Sequence, residues 1–139
     1  MFKESINLEL KKEYVKDILK TVIAFANTSG GKIYIGIDDD GKVLGVQRLD
    51  TDILKLSNSI RDSIKPDITL FTSILVEKID SNDVIVVDVQ KGASSPYYLT
   101  DKGILPSGVY VRQGASSVPA TDAAILKMIR DTDGDNFEE

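Results

Sequence analysis

The stretch that decides the fold covers residues 24–41 and reads AFANTSGGKIYIGIDDDG. Its first residues end a run in which apolar positions recur every three to four residues, as is typical of an amphipathic helix. Asn27–Gly31 then interrupts that period with residues that tolerate irregular or left-handed backbone. From Ile33 to Ile37 apolar residues alternate, which indicates a strand. The stretch therefore predicts a helix, a sharp bend and a buried strand in direct succession.

The segment before this stretch combines another strand with the start of the same helix. Apolar and polar residues alternate from residue 5 to residue 11, which predicts a half-buried strand that projects Glu9 and Lys11 from its other face. The helix is predicted over residues 12–26. Three lysines recur at every fourth position and would form a basic stripe along it: Lys12, Lys16 and Lys20.

The rest of the chain predicts further strands and two more helices. Asp40-Gly41 is typical of a hairpin turn, with a return strand over residues 43–46. The other predicted elements are a helix over 52–65, strands over 69–79, 84–89 and 108–114, and a helix from 121 to about 130. Together these predict an α+β domain. We expect a mixed or antiparallel sheet of about six strands, with two to three helices packed on it.

Composition excludes several classes of chemistry. The 139 residues include no cysteine and no histidine, which rules out disulfides, Cys/His zinc sites, thiol nucleophiles and histidine-dependent triads. With 42% hydrophobic and 28% charged residues, the chain has the profile of one folded domain. No apolar run approaches the roughly 20 residues that cross a bilayer, and no signal-peptide core follows the N-terminus. We therefore expect a cytoplasmic protein and no membrane partner.

The net charge of −5 at first argues against a nucleic-acid partner. Five of the acids, however, lie in the last nine residues, and without them acids and bases are equal in number. This divides the chain into a domain over residues 1–130 and an acidic tail over 131–139. A neutral body can carry a basic face, although composition alone does not show one.

Carboxylates are the first candidates for chemistry. Glu9 and Lys11 lie two residues apart on a predicted strand and so leave the same face. Metal-dependent nucleases use such an acid-x-Lys pair to hold a divalent ion, but an ordinary surface ion pair has the same pattern. Asp38–Gly41 lacks the spacing of a calcium loop and indicates a hairpin turn, which leaves Asp38 alone as a possible ligand at a strand end.

The glycine-rich bend and the later basic residues are candidates for phosphate contacts. Gly30-Gly31-Lys32 follows a helix and has Ile33 where a phosphate loop needs serine or threonine, so a helix end with a tight entry into a strand is favoured. Polar groups of residues 27–29 could still meet a phosphate. The lysine stripe is either a phosphate track or a solvated helix face. Four tyrosines on predicted strands or loops could stack on bases but are more often core: Tyr34, Tyr97, Tyr98 and Tyr110.

Four segments, residues 4–11, 24–31, 35–46 and 108–120, resemble the Schlafen AlbA-type family in the order that the family uses them. The resemblance implies an α+β domain likened to an archaeal DNA-binding fold. Bacterial members are described as DNA-binding transcriptional regulators, in which this domain precedes further regions, and residues 131–139 resemble the link to the next region. We expect the N-terminal strand, the glycine-rich bend and the Arg112 segment to converge into a surface for a sugar–phosphate chain.

The resemblance leaves three functions open. The first is binding of nucleic acid, DNA in the first instance, mainly through phosphates, by residues of the three segments and the lysine stripe: Lys11, Lys12, Lys16, Lys20, Asn27, Thr28, Arg112, Ser116 and Ser117. The second is a nuclease of RNA or single-stranded DNA in which Glu4, Glu9 and Asp38 hold magnesium or manganese and Lys11 assists. The third is a dimerisation module that pairs through exposed strand edges. Outside the nuclease alternative, no cofactor is expected.

Overall fold

The computed structural model of the protein describes residues 2–137, and this range forms three α-helices and eight strands. The helices are α1 (Ile18–Asn27), α2 (Leu49–Ser63) and α3 (Asp122–Phe137). The strands are β1 (Leu8–Lys11), β2 (Gly31–Ile35), β3 (Ile64–Lys65), β4 (Thr72–Ile79), β5 (Asn82–Val89), β6 (Tyr98–Leu99), β7 (Tyr110–Gln113) and β8 (Ser116–Pro119). None of these three helices combines the length and the apolar character needed to cross a membrane.

A four-stranded mixed sheet forms the centre of the fold, in the order β1-β2-β5-β4. β1 and β2 are parallel, since α1 connects them as a crossover, whereas β5 pairs antiparallel with both β2 and β4. Two smaller sheets pair β3 with β6 and β7 with β8. The predicted α+β class, with a mixed sheet and three helices, is confirmed. The strands are divided over three sheets, of which the largest has four strands.

Helix α1 lies at the centre of the main core. Nine of its ten residues are buried, because the central sheet covers one side and the β7–β8 hairpin contacts another. Ile33 and Val87 pack against it from the sheet and are fully buried. Tyr97 and Tyr110 belong to the same cluster, which confirms the core interpretation for these two tyrosines.

The opposite face of the sheet carries a smaller cluster. Leu10, Ile37 and Val84 are its buried members, and Phe2 and Tyr34 pack against them. Among the residues that the structure describes, no helical side chain takes part in this cluster. This face of the sheet is therefore covered far less than the face that supports α1.

The predicted start of the first helix is wrong. α1 begins at Ile18, after a turn in which the Ile18 amide donates to the Val15 carbonyl at 3.0 Å. The chain has to cross from the end of β1 to the start of the helix, and the Tyr14 hydroxyl, 3.0 Å from that of Ser59, anchors this crossing to α2. Lys12 and Lys16 consequently lie in a loop, and the three lysines do not form a stripe along one helix.

The predicted return strand over residues 43–46 is reduced to a single bridge between Ile37 and Val43. Gly36 has a φ of +112°, which ends the strand conformation, and its carbonyl accepts the amides of both Leu44 and Gly45. Strand β8 was not predicted, because residues 116–119 have no alternation of apolar and polar positions that would indicate a strand.

Helix α3 continues beyond the predicted end near residue 130. Lys127 pairs with Asp131 at 2.8 Å one turn later, and the Thr132 hydroxyl donates to the Ser95 carbonyl at 2.6 Å. The segment expected to be an acidic tail therefore starts as helix. Its last two acids, at positions 138 and 139, lie outside the described residues, and the proposed domain boundary stays a prediction.

Candidate nucleic-acid interface

The N-terminal strand, the glycine-rich bend and the Arg112 segment converge, as predicted, and they do so around Arg112. Its Nη1 donates to Glu9 Oε1 at 2.7 Å and to the Ser117 hydroxyl at 3.0 Å. Its Nη2 donates to the carbonyls of Ser5 and Leu8 at 2.8 and 3.1 Å. The side chain is 0% exposed. The guanidinium that we expected to contact phosphate thus directs its donors inward and ties these segments together.

Glu9 is a buried carboxylate placed between two cations and a second acid. Lys11 Nζ lies 3.7 Å from its Oε2, on the side away from Arg112. The neighbouring Glu4 accepts the Leu10 amide at 3.1 Å. Burial raises the pKa of Glu9, and the adjacent Glu4 carboxyl raises it further, while the guanidinium of Arg112 acts in the opposite direction. The protein's own cations therefore occupy the surroundings of this carboxyl pair.

Asp38, the third carboxylate of the nuclease alternative, is held by hydrogen bonds within the turn over residues 38–42. Asp38 Oδ1 accepts the amides of Asp40 and Lys42 at 3.0 and 2.9 Å. Within residues 2–137 no group of three acidic side chains is placed so that it could hold a metal ion. Glu4 and Glu9 are brought together and Asp38 is not, so the donor set does not fit the magnesium or manganese site of the nuclease alternative.

Asn27 and Thr28, two of the expected phosphate contacts, bond to the protein itself. The Asn27 amide nitrogen donates to the carbonyls of Tyr97 and Tyr110 at 3.0 and 2.9 Å, and its oxygen accepts the Tyr97 amide at 2.8 Å. Thr28 Oγ1 accepts the Arg112 amide at 2.9 Å. These bonds join the end of α1 to β7 and to the chain leading into β6.

The glycine-rich bend ends the helix and starts the strand, which confirms the favoured interpretation. Gly30 has a φ of +77°, and its amide donates to the Phe25 carbonyl at 2.8 Å. A Cβ at Gly31 would lie 2.7 Å from the Phe25 ring and 2.8 Å from the Asn7 carbonyl. The glycines are thus required by the left-handed backbone at Gly30 and by the close packing at Gly31.

The two serines after Arg112 differ in their surroundings. The Ser117 hydroxyl is half-buried and donates to Thr21 Oγ1 at 3.1 Å, besides accepting from Arg112. Ser116 is exposed at the start of β8, after the turn at Gly114, where φ is +57°. Of this pair, Ser116 is the one placed to meet a ligand.

Two of the four candidate lysines are engaged with carboxylates. Lys11 lies near both Glu9 and Asp17, and Lys20 lies 3.2 Å from Asp17. The hydrogen bond that the Lys20 ammonium donates to Asp17 is the main reason that the pKa of Lys20 is raised. Lys12 and Lys16 are exposed, and neither forms an ion pair within the described part of the chain.

The loop after β1 borders a groove of about 490 Å³ at the start of α2. We call it the Arg48 groove. Its lining includes three exposed cations, Lys12, Arg48 and Lys55, and two carboxylates, Glu13 and Asp52. None of the three cations forms an ion pair among the described residues.

A second groove, of about 450 Å³, is lined in part by the last two residues of the same loop, Lys16 and Asp17. We call it the Lys102 groove. Five charged residues line it, three lysines and two aspartates: Lys16, Lys20, Lys102, Asp17 and Asp101. Apolar residues of α1 and β6 also contribute to the lining. Sequence reasoning missed Arg48, Lys55 and Lys102, because each is an isolated cation without a motif and only the tertiary fold groups them.

Comparisons with known proteins agree with this architecture. The family model described as Schlafen, AlbA_2 matches residues 2–121. The solution structure of the N-terminal domain of a RecG-related protein from Nitrosomonas europaea, whose name refers to an ATP-dependent DNA helicase, is similar with a TM-score of 0.61 and 27% identity. The match covers 86% of each chain.

The crystal structure of the DIP2311 protein from Corynebacterium diphtheriae shares the fold, with a TM-score of 0.67 and 20% identity. The match covers 91% of the present chain and 24% of that protein. The chain therefore spans about a quarter of the length of this structural neighbour.

Proposed function

The chain belongs to the Schlafen AlbA_2 family, and from this premise we propose that it is a DNA-binding domain of a bacterial transcriptional regulator. It binds the sugar–phosphate backbone through exposed cations. Family membership supports a nucleic-acid-related function. The neighbour from N. europaea, whose name refers to a DNA helicase, supports the same class.

One observation carries the proposal: the loop between β1 and α1 contributes residues to both the Arg48 groove and the Lys102 groove, and the lining of each groove has three cations against two carboxylates. Lys12 and Lys16 lie four residues apart in this loop, so their backbones are separated by at most about 14 Å. One DNA strand carries a negative charge about every 3.4 Å along its axis. The two grooves can therefore meet several successive phosphates.

The arrangement favours phosphate contacts over base readout. Sequence readout in the major groove needs an exposed helix or ribbon that presents several hydrogen-bonding side chains. Helix α1 is buried on nearly all sides and cannot enter a DNA groove. The cations of the two grooves instead come from loops, from the first turn of α1 and from the first half of α2. Cations dispersed in this way suit sequence-independent binding that weakens as salt rises.

The test removes the free cations of the Arg48 groove in a Lys12→Ala/Arg48→Ala/Lys55→Ala variant. Fluorescence anisotropy with a labelled 20-base-pair duplex at 50 and 200 mM salt gives the affinity and its salt dependence. We expect binding at least about tenfold weaker at 50 mM, and a slope of log K against log salt that is shallower by about 2 to 3, since each lost phosphate contact removes about 0.9.

A matched variant removes the same charge elsewhere, at the exposed side chains of Lys78, Lys127 and Arg130. It should keep most of the affinity. Equal losses in the two variants would show that only net charge matters, and an affinity of the wild type that does not change with salt would contradict phosphate binding.

A labelled RNA and a labelled single-stranded DNA decide between the alternatives. Incubation of each with magnesium or manganese, followed by electrophoresis, should leave them intact, because the three carboxylates are not grouped among the described residues. Cleavage that is lost in Glu9→Ala would establish the nuclease instead. A molecular mass in solution that rises with protein concentration, together with no salt-sensitive binding of DNA, would favour the dimerisation module.

A further inference from the structure

The sheet face away from α1 carries a third groove, of about 580 Å³, at the beginning of β1 and β2 and the end of β5. We call it the sheet groove. It lies at the opposite end of β1 from the Arg48 groove, since Asn7 and Leu8 line the former and Lys12 lines the latter. The two grooves are therefore separate surfaces at the two ends of β1.

The distinctive feature of the sheet groove is a pair of aromatic rings. The ring centroids of Phe2 and Tyr34 lie 4.9 Å apart and their planes are inclined by 50°. Both side chains are half-buried, and both line the groove. The pair packs on the small cluster that includes Leu10, and both rings also contribute surface to the groove.

Two lysines, two side-chain amides and one carboxylate line the groove around the rings. Lys32 and Lys91 are exposed at the rim, and neither forms an ion pair in the described part of the chain. The amide side chains of Asn7 and Gln90 are exposed in the same groove. Asp88, half-buried, is the carboxylate that its lining contributes.

We propose that the sheet groove binds unpaired bases of a single-stranded nucleic acid. Tyr34 and Phe2 stack on the bases, while Lys32 and Lys91 contact the neighbouring phosphates. Aromatic platforms flanked by cations bind single strands with little sequence preference, because every base has a π-face. Duplex bases are stacked on one another and cannot use the rings. This inference rests on the proposed function and adds a strand preference to it.

The experiment compares a labelled 12-nucleotide oligothymidylate with an abasic strand of the same length and with the duplex. Tyr34→Leu keeps an apolar side chain on the small cluster but removes the stacking surface, so oligothymidylate binding should weaken about tenfold. Affinity for the abasic strand and the duplex should change less than twofold. Tyr34→Phe should retain binding within twofold, and Tyr98→Leu, on β6, serves as the matched control.

A direct signal is available because the chain contains no tryptophan. Tyr34→Trp places a single indole in the groove, and its fluorescence should be quenched by oligothymidylate and not by the abasic strand. Circular dichroism of all variants confirms that they are folded.

Failure of this inference is distinguishable from failure of the proposed function. Duplex binding that is salt-sensitive, together with oligothymidylate affinity unchanged by Tyr34→Leu, would overturn the stacking role alone. If the wild type bound neither the duplex nor the single strand, both the stacking role and the proposed function would be overturned. A concentration-dependent dimer that is abolished by Tyr34→Leu, without any effect on oligothymidylate, would assign the face to a second copy of the chain.

Discussion

A single residue, Arg112, joins β7 to the N-terminal segment through Glu9 and the carbonyls of Ser5 and Leu8, and to β8 through Ser117. The motif around it drew attention to the right position, but it could not show that the side chain points inward. Its carboxylate partner Glu9 lies 103 positions away in the sequence. Pairing over such a distance is a property of the tertiary fold and leaves no periodic signal.

Removing the guanidinium should destabilise the fold strongly. Arg112→Met leaves Glu9 without its main cation and removes the side-chain hydrogen bonds to Glu9, Ser117 and the carbonyls of Ser5 and Leu8. The free energy of unfolding in urea should therefore fall by about 3–5 kcal/mol. Arg112→Lys should also lose stability, because an ammonium group cannot reproduce the fork that reaches two carbonyls and a carboxylate.

Two further variants check this interpretation. Lys127→Ala breaks the exposed Lys127–Asp131 pair on α3 and should cost no more than about 0.5 kcal/mol. Glu9→Gln combined with Arg112→Met removes the uncompensated charge and should be less destabilised than Arg112→Met alone. A loss below about 1 kcal/mol for Arg112→Met would show that the buried network contributes little.

Among the helices and strands, the sequence predicted the boundaries that depend on neighbouring residues in the chain. The β4–β5 hairpin turns at Asp80 and Ser81, both with positive φ, in the short gap between the strands predicted over 69–79 and 84–89. The predicted start of α1 was wrong because residues 12–17 have apolar positions at helical spacing although they form a loop. The decisive feature is the crossing from β1 to α1, which depends on contacts distant in sequence such as that of Tyr14 with Ser59 on α2.

The junction of α1 and β2 tolerates no side chain at Gly31. In Gly31→Ala the new Cβ would collide with the Phe25 ring and the Asn7 carbonyl, so helix and strand have to separate. We expect thermal unfolding to report a loss of about 1–3 kcal/mol. Gly134→Ala in α3 is the matched control, since no atom lies within 4 Å of its added Cβ. It should be neutral or slightly stabilising, and an equal loss at both glycines would contradict the packing argument.

At the scale of the whole molecule, the net charge and the local charges act in opposite directions. The chain carries −5 overall, yet cations outnumber carboxylates in both grooves beside the loop after β1. Composition predicted this only in part: it placed five acids in the last nine residues but could not locate a basic face. The positions of Arg48 and Lys102 relative to the lysine loop follow from packing, and no local pattern in the sequence encodes them.

The acidic C-terminal segment should therefore weaken DNA binding through long-range repulsion. Replacing Asp133, Asp135, Glu138 and Glu139 by their amides changes the net charge from −5 to −1 while leaving Asp131 to pair with Lys127. At 50 mM salt the Debye length is over 10 Å, and duplex affinity should rise by about threefold; at 300 mM, where screening is much stronger, the gain should disappear. Anisotropy titrations at the two salt concentrations measure this. A gain that persists at 300 mM would mean that the segment competes directly with DNA for the grooves, and no gain at either concentration would mean that the local cations alone set the affinity.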